Sequence, residues 1–187
     1  MAEYRLLTIW RFDAPLEAVY ATIHNASHWP GWWPGVQKVE EIAAGDAHGI
    51  NSILRYYWQG RLPYRMVFDV RATRIERHVA IEGTVQGDLE GIGRWHFTRE
   101  GAVSVVRHEW HVRSTVWWMN LIAPFARPMF IRNHGVLMRQ GAEGLARQLD
   151  APLVGQENID LMLENAPSTA APGQTDPRPK APRERSF

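Results

Sequence analysis

The chain has 187 residues, 45% of them hydrophobic and 22% charged, which is the composition of one ordinary globular domain. A formal charge of +1 supplies no field for steering nucleic acid, so a basic-faced nucleic-acid binder is excluded. The absence of cysteine excludes disulfides, thiolate catalysis and cysteine zinc sites.

The opening MAEYRLLTIWRFDAP carries Glu3 and Arg5 early, and Arg11 and Asp13 break its apolar run. It does not read as a signal peptide. No apolar run approaches the roughly 20 residues of a membrane span. A cytoplasmic protein without an integral membrane segment is expected.

Tyr4, Leu6, Thr8, Trp10 and Phe12 share one side of an extended chain, which predicts a strand over 4–12. Asp13 then stands at a helix N-cap, with Pro15 and Glu17 in the first turn. Leu16, Val19, Tyr20 and Ile23 recur at helical spacing, predicting a short amphipathic helix over 14–25. SHWPGWWPG follows, where Trp29, Trp32 and Trp33 sit among prolines and glycines that forbid a long regular element.

Six extended runs come next: 36–44, 50–58, 62–76, 78–85, 91–100 and 102–115. Gly45-Asp46, Gln59-Gly60, Gly87-Asp88 and Glu100-Gly101 supply turns, so the runs predict an antiparallel meander. In the last run Val106, His108, Trp110 and Val112 form an apolar face, with Arg107, Glu109, His111 and Arg113 opposite. The period then changes. Phe130, His134, Leu137, Met138, Gly141, Leu145 and Leu149 mark a long helix. Pro124 and Pro128 predict that 117–127 is a separate or kinked entry to it. From Ala151 the periodicity stops and proline accumulates. The reading is a domain over 1–150 and a mostly disordered tail over 151–187, with 157–164 as a possible short surface helix.

The pieces APLEAVYATI, WPGWWPGV, GRLPYRMVFDV, GDLEGIGRWHF, VVRHEWHV and the run 117–149 resemble the START-like (SRPBCC) superfamily. Among its members they are most similar to bacterial polyketide cyclase/dehydratase-like proteins. The resemblance implies an α+β helix-grip fold. A seven-stranded curved antiparallel sheet would wrap a long C-terminal helix, with two short helices after the first strand. It also implies a cavity between sheet and helix. The superfamily has no shared catalytic motif, so it transfers no catalytic residue.

The residues themselves point to a cavity for a small hydrophobic molecule. Tyr56, Trp58, Tyr64, Met66, Phe68, Trp95, Phe97, Trp110, Leu137 and Met138 fall on inward positions, and tyrosines and methionines suit an adaptable apolar pocket. His108 shares the inner face of the last strand and His134 the inner stripe of the long helix. Each is either a bonded core histidine or an acid/base, with Tyr56 and Tyr64 as further candidate groups. Trp33 is an expected wall, while the tryptophan segment as a whole reads as a plug at one cavity end.

No metal site is expected, because the two histidines of HEWH (108–111) point to opposite faces of a strand. No cofactor is implied, and no protein partner is assigned. Asp88 and Glu90 read as a polar hairpin. Glu82, Arg94, His96, Arg107 and Glu109 read as cross-strand pairs on the solvated face. Of three functions, the expected one is a binding protein for a lipid, quinone or polyketide-like compound, with a cofactor-free cyclase or dehydratase as the alternative. An interaction module built on exposed tryptophans is the third.

Overall fold

In the computed structural model, which describes residues 2–60 and 64–164, one antiparallel sheet wraps a long helix. Strand β1 (Glu3–Phe12) leads into α1 (Leu16–His24) and a 3₁₀ helix (Ala26–Gly31). The meander β2 (Val36–Ala43), β3 (Ile53–Trp58), β4 (Met66–Glu76), β5 (Ala80–Gly87), β6 (Leu89–Glu100) and β7 (Val103–Ser114) follows. Helix α2 spans Trp117–Leu149, β8 spans Leu153–Asp160 and α3 spans Leu161–Glu164. The strand order is β2-β3-β4-β5-β6-β7-β1-β8. The helix-grip fold expected from the sequence is therefore present.

Two expectations are corrected. The sheet has eight strands, not seven, because residues 153–160 pair with β1 instead of continuing into a tail. Their backbone is taken up by the free edge of β1, so edge pairing decides the strand although its side chains do not alternate. The expected helix over 157–164 is reduced to α3 at 161–164. The tail expectation for residues 165–187 lies outside the described residues. The second correction concerns α2, which runs unbroken for 33 residues through Pro124 and Pro128. Each proline removes one ladder bond.

Both faces of β1 are buried. Tyr4, Leu6, Trp10 and Phe12 lie in the main core, while Leu7 and Ile9 pack on the convex side with Val105, Ile159 and Leu161. The tryptophan segment seats α2. Trp33 Nε1 donates to the carbonyl of Leu137 at 2.8 Å, and Trp29 Nε1 to that of Ile23 at 3.0 Å. Two helix glycines make the close approach possible. A Cβ on Gly141 would fall 2.4 Å from the Trp33 ring, and one on Gly144 would fall 1.9 Å from the Trp32 carbonyl oxygen.

Outside the core, the convex face carries a charge ladder. Arg94 lies 3.7 Å from Glu109 and 3.2 Å from Glu82, which lies 2.7 Å from Arg74. Asp88 is structural: its carboxylate accepts from the Val67 N–H at 2.8 Å and its carbonyl from the Thr115 N–H at 3.1 Å.

Candidate ligand-binding cavity

Strand alternation and the grip of α2 enclose a cavity of about 360 Å³. Strands β3 and β4 supply Tyr56, Trp58, Met66 and Phe68, and β6 and β7 supply Trp95, His108 and Trp110. From α2 come His134, Leu137 and Met138, and Tyr64 lies just before β4. These eleven positions are brought together as the sequence pattern leads one to expect. Two expected wall residues are not among them. Trp33 is 0% exposed and packed within the plug, where its indole bonds to α2. Phe97 lies beyond the cavity end, edge-on to Tyr20 of α1 at 5.1 Å, because α1 covers the sheet there.

Tyr4, Trp29, Met119, Phe130 and Asn133 also line the cavity. The alternation of β1 points Tyr4 inward, and Phe130 belongs to the helical stripe. Met119 and Asn133 carry no sequence signal that separates them from their neighbours. At the α1 end, the exposed His24, Glu41 and Ala44 form the rim, so the cavity opens to solvent between α1 and the β2–β3 turn.

Sheet register builds the polar part. Trp95, His108, Thr8 and Asn158 are consecutive cross-strand partners through β6, β7, β1 and β8. His108 stacks on Trp95 with ring centroids 4.0 Å apart and lies 5.5 Å from Trp110. The Thr8 hydroxyl donates to Asn158 Oδ1 at 2.8 Å. His108 Nδ1 is buried with no hydrogen-bond partner among the described residues.

Burial is the main influence on His108, His134, Tyr56 and Tyr64. It pushes His108 well below the ordinary histidine value, and the nearby His134 lowers it further. Burial alone brings His134 down to about 4. His134 has some accessible surface, but it sits under α2 and faces the cavity rather than bulk water. The Tyr56 hydroxyl is pushed far above its ordinary value by burial. Tyr64 is raised to about 12 by burial, with Tyr4 as a smaller cause. At neutral pH both imidazoles and both phenols are therefore uncharged. They can donate or accept hydrogen bonds and exchange protons, but they supply no positive charge to offset that of a bound anion. Among the described residues, no three His, Asp or Glu side chains are grouped to hold a metal ion.

The family described as "Polyketide cyclase / dehydrase and lipid transport" matches residues 10–150. The chain belongs to that family. The match runs from β1 to the end of α2 and so includes nearly all of the cavity wall. Among solved structures, this polyketide cyclase/dehydrase family member is similar to the Zhui aromatase/cyclase from a Streptomyces species. Identity is 12%, covering 80% of this chain and 94% of that one, with a TM-score of 0.62. A START superfamily protein from Mycobacterium smegmatis is 16% identical, with 79% and 97% covered and a TM-score of 0.64. A conserved protein from Geobacillus kaustophilus is 10% identical, with 82% and 98% covered and a TM-score of 0.64. These likenesses show the fold alone. No curated protein sequence matches the chain.

Proposed function

We propose that this protein holds an uncharged, mainly apolar small molecule, such as a lipid, quinone or polyketide-like compound, in the cavity between sheet and α2. One observation carries the reading: a space of about 360 Å³ walled mainly by aromatic and aliphatic side chains, with neutral imidazoles, phenols and the Asn133 amide among its deep polar groups. Ligand pockets typically enclose roughly 300–1,000 Å³ and combine an apolar wall with a few polar groups. Trp29, Trp58, Trp95 and Trp110 all line the space, so a bound aromatic should quench tryptophan emission.

Native mass spectrometry of the purified protein, followed by solvent extraction, tests this. A stoichiometric apolar molecule supports the reading. Failure to retain a ligand, together with no saturable quenching by any apolar probe, refutes it.

A second reading, cofactor-free cyclisation or dehydration of a polyketide-like substrate, is favoured by His108 and His134 lying within electrostatic reach of each other. A neutral imidazole can take a proton from carbon beside a carbonyl, and a neighbouring phenol can give one to the developing oxyanion. The apolar walls would fold the substrate and exclude water. Under this reading His108→Ala and His134→Ala abolish turnover while ligand affinity changes little. Full turnover in both variants would eliminate those roles.

A further inference from the structure

The face of α2 opposite the cavity is not what a solvated helix presents. Trp117 is 74% exposed, Leu121 70% and Met129 44%, and Ile122 is also exposed. At 100° per residue Trp117, Leu121, Pro128, Met129 and Arg132 fall on one side of the helix. Isolated exposed apolar residues are ordinary, but several large ones on one short stretch mark a contact surface.

The charge around the N-terminal two-thirds of this face has one sign. Between Trp117 and Ala142 the sequence carries Arg127, Arg132 and Arg139 and no acidic residue. Arg132 and Arg139 are exposed. Tyr64 packs edge-on to Trp118 at 5.2 Å, which brings the exposed Arg65 to the same end. The other acids nearby are mostly engaged, Glu3 with Arg5, Glu90 with Arg113 and Asp160 with Arg127, while exposed Glu143 stands one turn beyond Arg139. Among the described residues, Arg65, Arg132 and Arg139 enter no ion pair. Exposed tryptophan and leucine flanked by uncompensated arginine fit the boundary of an anionic bilayer, where the indole sits at headgroup level and guanidinium groups meet phosphate. Among the described residues no helix is long and apolar enough to cross a membrane, and the contact proposed here is peripheral.

We infer that the exposed face of α2 around Trp117, Leu121 and Met129 docks on an anionic lipid surface. On the inner side of the same stretch Met119 and Phe130 line the cavity. Docking therefore places one cavity end against the lipid, where an apolar ligand is stored. That purpose rests on the binding reading proposed above. The docking itself does not.

Co-sedimentation of the full chain with phosphatidylcholine vesicles, with and without phosphatidylglycerol, tests the inference. The wild type is expected on the phosphatidylglycerol vesicles and largely absent from pure phosphatidylcholine, with binding weakened by salt. The double variant W117S/L121S changes only exposed side chains, so it should keep its thermal transition and its quenching by apolar probes. It should lose vesicle partitioning by roughly tenfold or more. The variant R132Q/R139Q should reduce the salt dependence.

Three results overturn the inference. The first is no partitioning by the wild type. The second is unchanged partitioning by W117S/L121S, which would assign the binding to other cations, such as Arg178, Lys180, Arg183 and Arg185. The third is a wild-type dimer that becomes monomeric in W117S/L121S without vesicle binding, which would make the face a contact between copies. Vesicle binding by a protein that takes up no apolar probe would leave docking intact and remove only the proposed ligand function.

Discussion

The two buried histidines make a quantitative prediction about acid stability. In the unfolded chain His134 takes up a proton near the ordinary histidine value of 6.5, but in the folded protein only near about 4. Between those values the unfolded state binds more protons than the native one, so stability falls as pH drops. The stabilisation is complete above 6.5 and is lost progressively as pH falls toward 4. The whole span corresponds to about 3 kcal/mol, at about 1.4 kcal/mol per pH unit. Acidification from about pH 7.5 to pH 5 should remove about 2 kcal/mol through His134 alone. His108 is lowered by burial as well, and further by His134, so it adds to the loss in the same direction. Urea unfolding at these two pH values, followed by tryptophan emission, measures the sum. The isosteric test is His134→Gln and His108→Gln. Each variant has its own stability at pH 7.5, but its loss on acidification should be smaller, by about 2 kcal/mol for His134→Gln. A wild-type stability that is flat over this range, or variants with the wild-type slope, would refute the claim that these imidazoles are held neutral by burial.

Three further outcomes follow from the packing. Gly141→Ala and Gly144→Ala both improve helix propensity but drive a methyl into the Trp33 ring and the Trp32 carbonyl. The net effect should be a loss of about 1–3 kcal/mol, seen as a lower melting temperature by circular dichroism, whereas a rise would show that the segment yields. A chain ending at Asp150 loses the β8 ladder, the Thr8–Asn158 bond and the Arg127–Asp160 pair. It should be less stable than one ending at Glu164 by at least about 3 kcal/mol, given about 1 kcal/mol per hydrogen bond. Equal unfolding midpoints would count against a structural role for β8. Trp29→Ala opens the cavity wall where Trp29 meets Trp33 and Tyr56, at 5.1 and 5.5 Å. It should cost about 3 kcal/mol or more in stability and extend binding to bulkier probes, measured by quenching of the remaining tryptophans. An unchanged size limit would place Trp29 outside the ligand's reach.

The elements whose side chains face a filled interior were legible in the sequence. β1, α1 and the six meander strands carry the alternation or helical period that burial on one face imposes. The same alternation located His108 beside Trp95 and Trp110, because register and pleat leave no other face for them. β8 was not legible. Its inward positions include the polar Gln156, opposite Trp10, and Asn158, which bonds to Thr8 and whose amide nitrogen would lie 3.8 Å from a Cβ on Gly135. An edge strand satisfied by polar side chains gives no apolar period to read. The division between wall and packed core was also hidden. Trp33 and Phe97 have the same inward pattern as Tyr56 and Phe68. Only the positions of the plug and of α1 decide which of them meet empty space.

Those positions bring the tryptophan segment to the centre of the argument. Each of its three rings has a different neighbour. Trp29 faces the cavity, Trp33 is closed inside the core, and Trp32 stacks on Trp33 at 5.5 Å while its carbonyl meets Gly144. The segment therefore touches both the cavity and the helix that roofs it. The bond from Trp33 to the Leu137 carbonyl fixes how far α2 sits from the sheet, one turn beyond His134 and beside the cavity residues Leu137 and Met138. A helix held at that height by rigid indoles and two glycines cannot settle further onto the sheet. The space beneath it stays open without a ligand to prop it. The prolines and glycines serve this arrangement by turning the chain so that three large rings reach three different surfaces within five residues. The plug thus acts as a spacer, and the cavity's volume is set largely by the segment that closes its end.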